Sequence, residues 1–303
     1  MMASDTQRAI TSSLIRHAID VAFECNASKF FVYAYTLTDE LEAAIARMGE
    51  RAVLVLQTDQ EQDAAELEGR CFVRVPNVRL SRMGQARVAL FLAFAKGLIH
   101  TGDVVAFLLG EPNGPQFDTL HVTEIGGETE GLLPTGDESY LPEGVRPEVV
   151  ERVIDIAAEL GSEGREGKPV GALFVIGDSE RVMSLSRQLI INPFRGYPPE
   201  ERSVLDPALE ETVKELSTID GAFIISGDGT IETCGAFLKT SLQDEDEYSL
   251  PRGLGARHHA AAGITAVTDS VAVTVSESTG TVTVFRGGKI ITEFEKLRRA
   301  SAR

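Results

Sequence analysis

Residues 219–226 have the sequence IDGAFIIS, and this stretch decides the fold of the second half of the chain. The apolar residues that follow Asp220-Gly221 predict a buried strand, which the Asp-Gly pair introduces as a turn. Residues 171–177, GALFVIG, predict a second buried strand. A helix is predicted from Pro147 to Leu160, because proline favours the first turn of a helix, and residues 161–168 are predicted to be an unstructured hinge. This half should therefore be an α/β domain.

The first half of the chain shows an alternation of helices and strands. Helical patterns cover residues 14–23 and 41–48 and a helix is predicted over 85–98, while apolar runs cover residues 30–33, 53–56, 72–75 and 104–109. Strands that alternate with helices predict a parallel sheet with both faces covered. Between the two halves the chain becomes rich in Gly, Pro, Glu and Thr, which is typical of a linker. We therefore expect an α/β domain over 1–130, a linker over 131–146 and a second domain over 147–303.

Charge is the most informative property of the composition. The 303 residues have a net charge of −17, which argues against DNA as a partner because nucleic-acid binding needs a basic surface. The chain has 7 lysines against 22 arginines and 46 acidic residues, which favours a high-salt cytoplasm, although an ordinary acidic cytosolic protein is the alternative. The first residues have no apolar signal-peptide segment, no stretch is long enough to span a membrane, and we expect a cytoplasmic protein. The three cysteines are too isolated to indicate disulfides or a zinc site.

Neither of the common nucleotide-binding loops is present. Gly167-Lys168 has no glycine at the required upstream spacing, and Pro169 stands where a phosphate loop needs Ser or Thr. A GxGxxG fingerprint is also missing. A nucleotide would have to be bound by other means.

Three segments of the second half could carry chemistry. The first is Asp220-Gly221-Ala222, the second is 253–261 with the sequence GLGARHHAA, and the third is 271–277 with the sequence VAVTVSE. The second segment predicts the start of a helix, where free backbone N–H groups and glycines suit a phosphate. Each segment also has a purely structural explanation: a turn, a surface helix cap and a hairpin. The residues alone leave both explanations open.

Taken together and in this order, the three segments resemble the diadenylate cyclase family, whose domains carry a DGA motif, an RHR motif and a later Ser-Glu. The likeness spans about 140 residues of the sequence. The first half resembles the C-terminal domain of pyruvate kinases, as in archaeal members of the family. The resemblance implies a domain with a central mixed β-sheet flanked by helices. It also implies an enzyme that condenses two ATP into cyclic di-AMP and pyrophosphate, with Mn²⁺ or Mg²⁺, in a homodimer or larger homo-oligomer whose cyclase domains face each other.

The resemblance also implies roles for individual residues. Asp220, Arg257 and Glu277 would be catalytic, and Asp220 and Glu277 would hold the metal. Arg257 and His258 would hold the β- and γ-phosphates. The full predicted ATP-binding set is Gly221, Ala222, Leu238, Gly255, Ala256, Arg257, His258, His259, Ser276 and Glu277.

Two positions depart from the family pattern. His259 stands where the second Arg is usual, and Ala256 replaces a Thr. If His259 faces phosphate, its charge would depend on pH near neutrality. The alternative function is a module that senses ATP or cyclic di-AMP without catalysis. Such a module could lose Asp220 or Glu277, so their presence favours the enzyme.

Overall fold

The computed structural model describes residues 5–33, 38–58, 61, 65, 68–110, 116–126, 141–239, 250–251 and 253–295. The chain forms two compact units, one of Met1–Glu138 with Leu297–Arg303 and one of Ser139–Lys296. Most of the predicted linker, residues 131–140, lies outside the described residues. Leu141 and Val145, at its end, are buried in the second unit. No helix in the described part of the chain has the length and apolar character needed to cross a bilayer.

The first unit contains a five-stranded sheet with the order β3-β2-β1-β4-β5. Its elements are α1 Asp5–Glu24, β1 Lys29–Tyr33, α2 Asp39–Met48, β2 Ala52–Leu56, β3 Phe72–Arg74, α3 Arg82–Ala95, β4 Val104–Gly110 and β5 Phe117–Glu124. Strands β1 to β4 are all parallel to one another, as the sequence predicts. Strand β5 pairs with β4 in the antiparallel direction and forms one edge of the sheet. The predicted α/β class is confirmed. The sequence analysis missed β5, whose partly exposed residues do not form an apolar run.

Aromatic residues fill the core of this first sheet. Phe31 of β1 and Phe107 of β4 are fully buried and stack with their ring centroids 4.6 Å apart. Burying a side chain of this size contributes about 1.5–3 kcal/mol. The Tyr33 hydroxyl is buried as well and donates to the backbone oxygen of Gln85 at 2.8 Å, so its polar atom has a partner.

The second unit contains a seven-stranded sheet with the order β12-β11-β10-β6-β8-β9-β7. Its elements are α4 Pro147–Glu163, β6 Ala172–Ile176, α5 Ser179–Ser184, β7 Ser186–Gln188, α6 Glu210–Leu216, β8 Ala222–Ile225, β9 Ile231–Leu238, α7 Ala256–Val267, β10 Val271–Val275, β11 Val282–Arg286 and β12 Lys289–Phe294. Strands β6 and β8 are parallel, whereas the other neighbouring strands are antiparallel. The predicted mixed sheet is therefore confirmed.

Helix α7 packs on the middle of this sheet. Its buried Ala261, Ala262 and Ile264 form one apolar cluster with Ile224 of β8 and Ala272 of β10. Small alanine side chains let the helix lie close to the strands. The start of α7 is thereby held near the edge at which β8 begins.

The expectation of an unstructured hinge over 161–168 is wrong. Helix α4 continues to Glu163. Arg165 and Lys168 then exchange backbone hydrogen bonds of 2.9 and 2.8 Å across a tight turn. Glu166 has φ 47° and Gly167 has φ 74°, the left-handed conformation that a two-residue hairpin turn requires.

Candidate active site

The strand directions bring the predicted carboxylates to one edge of the second sheet. Asp220 lies just before β8, and Glu277 lies just after β10. Strand β8 is parallel to β6, and β10 is antiparallel to β6, so the beginning of β8 and the end of β10 are at the same edge. Arg257, in the first turn of α7, reaches this edge.

Arg257 links the two carboxylates directly. Its Nη2 donates to Oδ1 of Asp220 at 3.2 Å, and its Nη1 donates to Oε2 of Glu277 at 3.3 Å. The side chains of Asp220 and Glu277 are 90% and 63% exposed, and that of Arg257 is 31% exposed. Exposed ion pairs of this kind add little stability, typically about 0–1 kcal/mol. The three groups are therefore close together yet free to exchange partners.

Two glycines shape this edge. A side chain at Gly171 would place its Cβ 2.5 Å from Nη1 of Arg257, so the guanidinium would have to shift from its present position. Gly221 has φ +112°, and a Cβ there would lie 2.5 Å from the backbone of Gly235. The sequence analysis did not identify Gly171 as part of the site, because a strand pattern does not show which side chain packs against the backbone.

A cavity of about 1130 Å³ opens at this edge. Its lining residues among those predicted are Asp220, Gly221, Ala222, Leu238, Gly255, Ala256, Arg257, His258, Ser276 and Glu277. Of the predicted residues, all described by the structure, His259 alone does not line it. Residues that the sequence analysis did not predict also contribute, including Leu189, Phe237, Thr281 and Thr283. The cavity is as large as ligand sites usually are.

His258 has a different position from the one expected for a cation. Its side chain is buried, and its ring meets Phe285 edge-on with the centroids 6.0 Å apart. Burial lowers the pKa of His258, and the neighbouring charges of His259 and Arg257 lower it further. A lowered pKa favours the uncharged ring, and contact of His258 with the β- and γ-phosphates stays a prediction. The burial of His258 could have been predicted from the sequence, since His258 shares a helix face with residues 261, 262 and 265.

The carboxylates also have the chemistry of a substrate-bound metal site. Among the described residues no group of three or more His, Cys, Asp or Glu side chains could hold a metal by itself. Asp220 and Glu277 offer two exposed oxygen ligands on either side of one guanidinium. Mg²⁺ is commonly held by one or two carboxylates together with substrate phosphates and water, so these residues fit a metal that arrives with a nucleotide.

Comparisons with known proteins identify the family of the chain. A family model described as "DisA bacterial checkpoint controller nucleotide-binding" matches residues 159–290. A protein of Methanocaldococcus jannaschii named "Diadenylate cyclase" is 31% identical to the chain, over 94% of this chain and 96% of its own length. The chain belongs to the diadenylate cyclase family. The expected family and the expected type of enzyme are thus confirmed.

Further similarities of this diadenylate cyclase concern both halves of the chain. A protein of Haloferax volcanii, also named "Diadenylate cyclase", is 34% identical over 76% of this chain and 81% of its own length. A crystal structure of DacA from Staphylococcus aureus is 26% identical and covers 47% of this chain and 84% of its own, with a TM-score of 0.31. The first half, residues 11–133, matches a family model described as "Probable sensor domain DacZ_P". Its resemblance to pyruvate kinases stays a prediction.

Proposed function

We propose that this diadenylate cyclase joins two ATP molecules into cyclic di-AMP with Asp220, Arg257 and Glu277 as its catalytic residues. The observation that carries this proposal is the single guanidinium of Arg257 between two exposed carboxylates. All three side chains line one cavity beside the start of α7. Such a site can bind a polyphosphate and orient a hydroxyl at the same time.

The reaction consists of two equivalent phosphoryl-type transfers. The 3′-hydroxyl of each ATP attacks the α-phosphorus of the other, the bond from that phosphorus to the β-phosphate oxygen breaks, and pyrophosphate leaves with the electron pair. The hydroxyl proton passes to solvent. Catalysis of such a transfer depends mainly on alignment and on neutralising charge. In our proposal the Asp220 carboxylate orients the attacking 3′-hydroxyl.

Asp220 and Glu277 would hold the divalent metal. When bound, Mn²⁺ or Mg²⁺ lowers the pKa of the attacking hydroxyl and neutralises charge on the phosphate oxygens. Both metals prefer oxygen ligands, which two carboxylates provide. The proposed metal ligands are also the two partners of Arg257, so metal binding would free the guanidinium.

The freed guanidinium and the start of α7 would bind the triphosphate. Gly255 is the N-cap of this helix and provides no side chain to bond its first N–H groups. Backbone N–H groups at a helix start and a charged arginine both donate to phosphate oxygens. Leu238, whose side chain lines the same cavity, would contact the adenine.

Each copy of the chain would hold one of the two ATP molecules, so two cyclase units must face each other. We propose a homodimer or larger homo-oligomer that binds neither DNA nor membrane. The function itself is tested by incubating the purified chain with ATP and Mn²⁺ or Mg²⁺ and measuring cyclic di-AMP by mass spectrometry. ATP binding with no product would favour the alternative, a sensing module.

The pairing of two copies has a separate test. Wild-type protein is mixed with the Arg257→Ala variant under conditions in which labelled subunits are shown to exchange. If one copy cannot bind ATP its partner is also inactive, so activity per total protein should follow the square of the wild-type fraction. A linear decline would show that each copy works alone and would overturn the face-to-face proposal.

A further inference from the structure

A second cavity, of about 310 Å³, lies beside the first. It is lined on one side by Arg165 and Lys168 of the tight turn and on another by Thr218 after α6. Pro169, Arg257 and Glu277 line both cavities and therefore separate them. Since one water molecule occupies about 30 Å³, the second cavity has room for about ten waters.

We propose that this second cavity binds the pyrophosphate leaving group. The proposal rests on the proposed function, because it concerns a product of that reaction. It assigns a site for a diphosphate to Arg257 together with two residues outside the three family motifs. The residues that would contact the anion are Arg165, Lys168 and Arg257.

The turn holds its two cations in fixed positions. Arg165 and Lys168 bond to each other through their backbones at both ends of the turn. Gly164 packs so closely that a Cβ there would lie 2.1 Å from the backbone oxygen of Lys168. The Arg165 guanidinium also donates to Glu211 at 2.9 Å and to Glu215 at 2.7 Å, which ties the turn to α6. The backbone of the turn and the Arg165 guanidinium are thus fixed, and the exposed Lys168 side chain extends from this backbone.

Three basic and three acidic residues line the cavity, so an anion would be bound by local contact with Lys168 and not by a net positive charge. The lining carboxylates of Glu215 and Glu277 already have cationic partners, Arg165 and Arg257 respectively. Glu166 is exposed, and within the described part of the chain Lys168 forms no ion pair. Lys168 is exposed and lines a cavity beside the proposed catalytic residues. A phosphate group is the natural partner for it.

The geometry in which the leaving group departs also favours this cavity. In phosphoryl transfer the leaving oxygen departs roughly opposite the attacking oxygen. In the proposed mechanism the attacking hydroxyl comes from the ATP of a second copy, through the open side of the larger cavity. The pyrophosphate therefore departs away from the attacking hydroxyl, and in our proposal the second cavity receives it. The second cavity begins where Arg257 and Glu277 separate it from the first.

The test measures pyrophosphate binding to the full chain by calorimetry, with Mg²⁺ and without ATP. Removing a charge-assisted contact should weaken binding about ten-fold in the Lys168→Ala variant, while Lys168→Arg should retain most of the affinity. Lys289→Ala is the matched control, because Lys289 is an exposed lysine of the same unit that lines neither cavity. Orthophosphate should bind more weakly than pyrophosphate.

Several results would overturn the proposal. They are no binding of pyrophosphate to the wild type, equal binding by Lys168→Ala and wild type, an equal loss in Lys289→Ala, or equal affinity for orthophosphate. Cyclic di-AMP synthesis by the wild type is measured in parallel. Because the binding assay contains no ATP, a wild type that makes cyclic di-AMP but does not bind pyrophosphate would reject the site and leave the proposed function standing.

Discussion

The two units of the chain use similar ion pairs in different ways. In the first unit, Arg47 and Asp20 lie 3.3 Å apart with more than half of each side chain exposed. In the second unit, Arg257 and Asp220 lie 3.2 Å apart, but the same guanidinium also meets Glu277 and the group borders a large cavity. Distance alone does not separate the two pairs. The difference lies in the second carboxylate and in the cavity beside it.

The strand arrangement explains how the second unit brings these three side chains together beside a cavity. The parallel strands of the first unit are connected by helices, and aromatic residues such as Phe31 and Phe107 fill its core. In the second unit, β8 begins at the edge where the antiparallel strand β10 ends. Residues far apart in sequence thereby meet at one edge. Four measurements test the difference between the two units.

The largest effect is expected from replacing Asp220, with Asp20 of the first unit as the control. Asp220→Asn should lower cyclic di-AMP synthesis at least about 100-fold, because it removes the charge that orients the hydroxyl and holds the metal. Its melting temperature should hardly change, since Asp220 is 90% exposed. Asp20→Asn breaks a pair of similar length and should leave synthesis unchanged. Near-normal product from Asp220→Asn would refute the role assigned to this residue.

The next effect concerns backbone glycines. Gly221→Ala should lower the free energy of unfolding by about 3 kcal/mol, because it combines a positive φ with a clash against Gly235. Gly102→Ala in the first unit also has a positive φ, but no atom lies within 4 Å of its Cβ, so a loss of about 1 kcal/mol is expected. Urea unfolding followed by circular dichroism gives both values. Equal losses would mean that the Gly221 contact is not tight.

A smaller effect should appear as pH changes. Because the pKa of His258 is lowered by folding, the unfolded chain binds this proton first, and stability is lost as pH falls below about 6.5. The slope from this one group is at most about 1.4 kcal/mol per pH unit. Unfolding free energies between pH 7.5 and 5.5 should therefore fall less steeply in His258→Gln than in the wild type. His100→Gln, at an exposed histidine of the first unit, should behave as wild type; a slope unchanged in His258→Gln would contradict the burial effect.

The smallest effect is expected from added salt, which should act on both units alike. The acidic excess is spread along the whole sequence, so molar KCl should raise the melting temperature by a few degrees by screening self-repulsion. Thermal melts at low and high KCl measure this directly. Melts that coincide, or a higher melting temperature at low salt, would remove the high-salt interpretation of the composition.

Much of the second unit could be predicted because local patterns determine it. Buried strands such as β6 and β8 are continuous apolar runs, and the residues of three motifs in order line one cavity. The second cavity could not be predicted in this way. Lys168 lies far from the motifs in sequence, and its position depends on a turn that has the composition of a hinge. Contacts between distant segments, such as Gly171 with Arg257, become visible only in three dimensions.

In the structure, the Arg257 guanidinium already balances the negative charge of Asp220 and Glu277. A divalent ion that approaches alone must compete with a guanidinium already held by both of its ligands. A triphosphate gives that guanidinium another partner, so nucleotide and metal each favour the binding of the other. By thermodynamic linkage, the factor by which ATP increases metal affinity equals the factor by which the metal increases ATP affinity. The occupancy of this edge should therefore depend on nucleotide and free metal together.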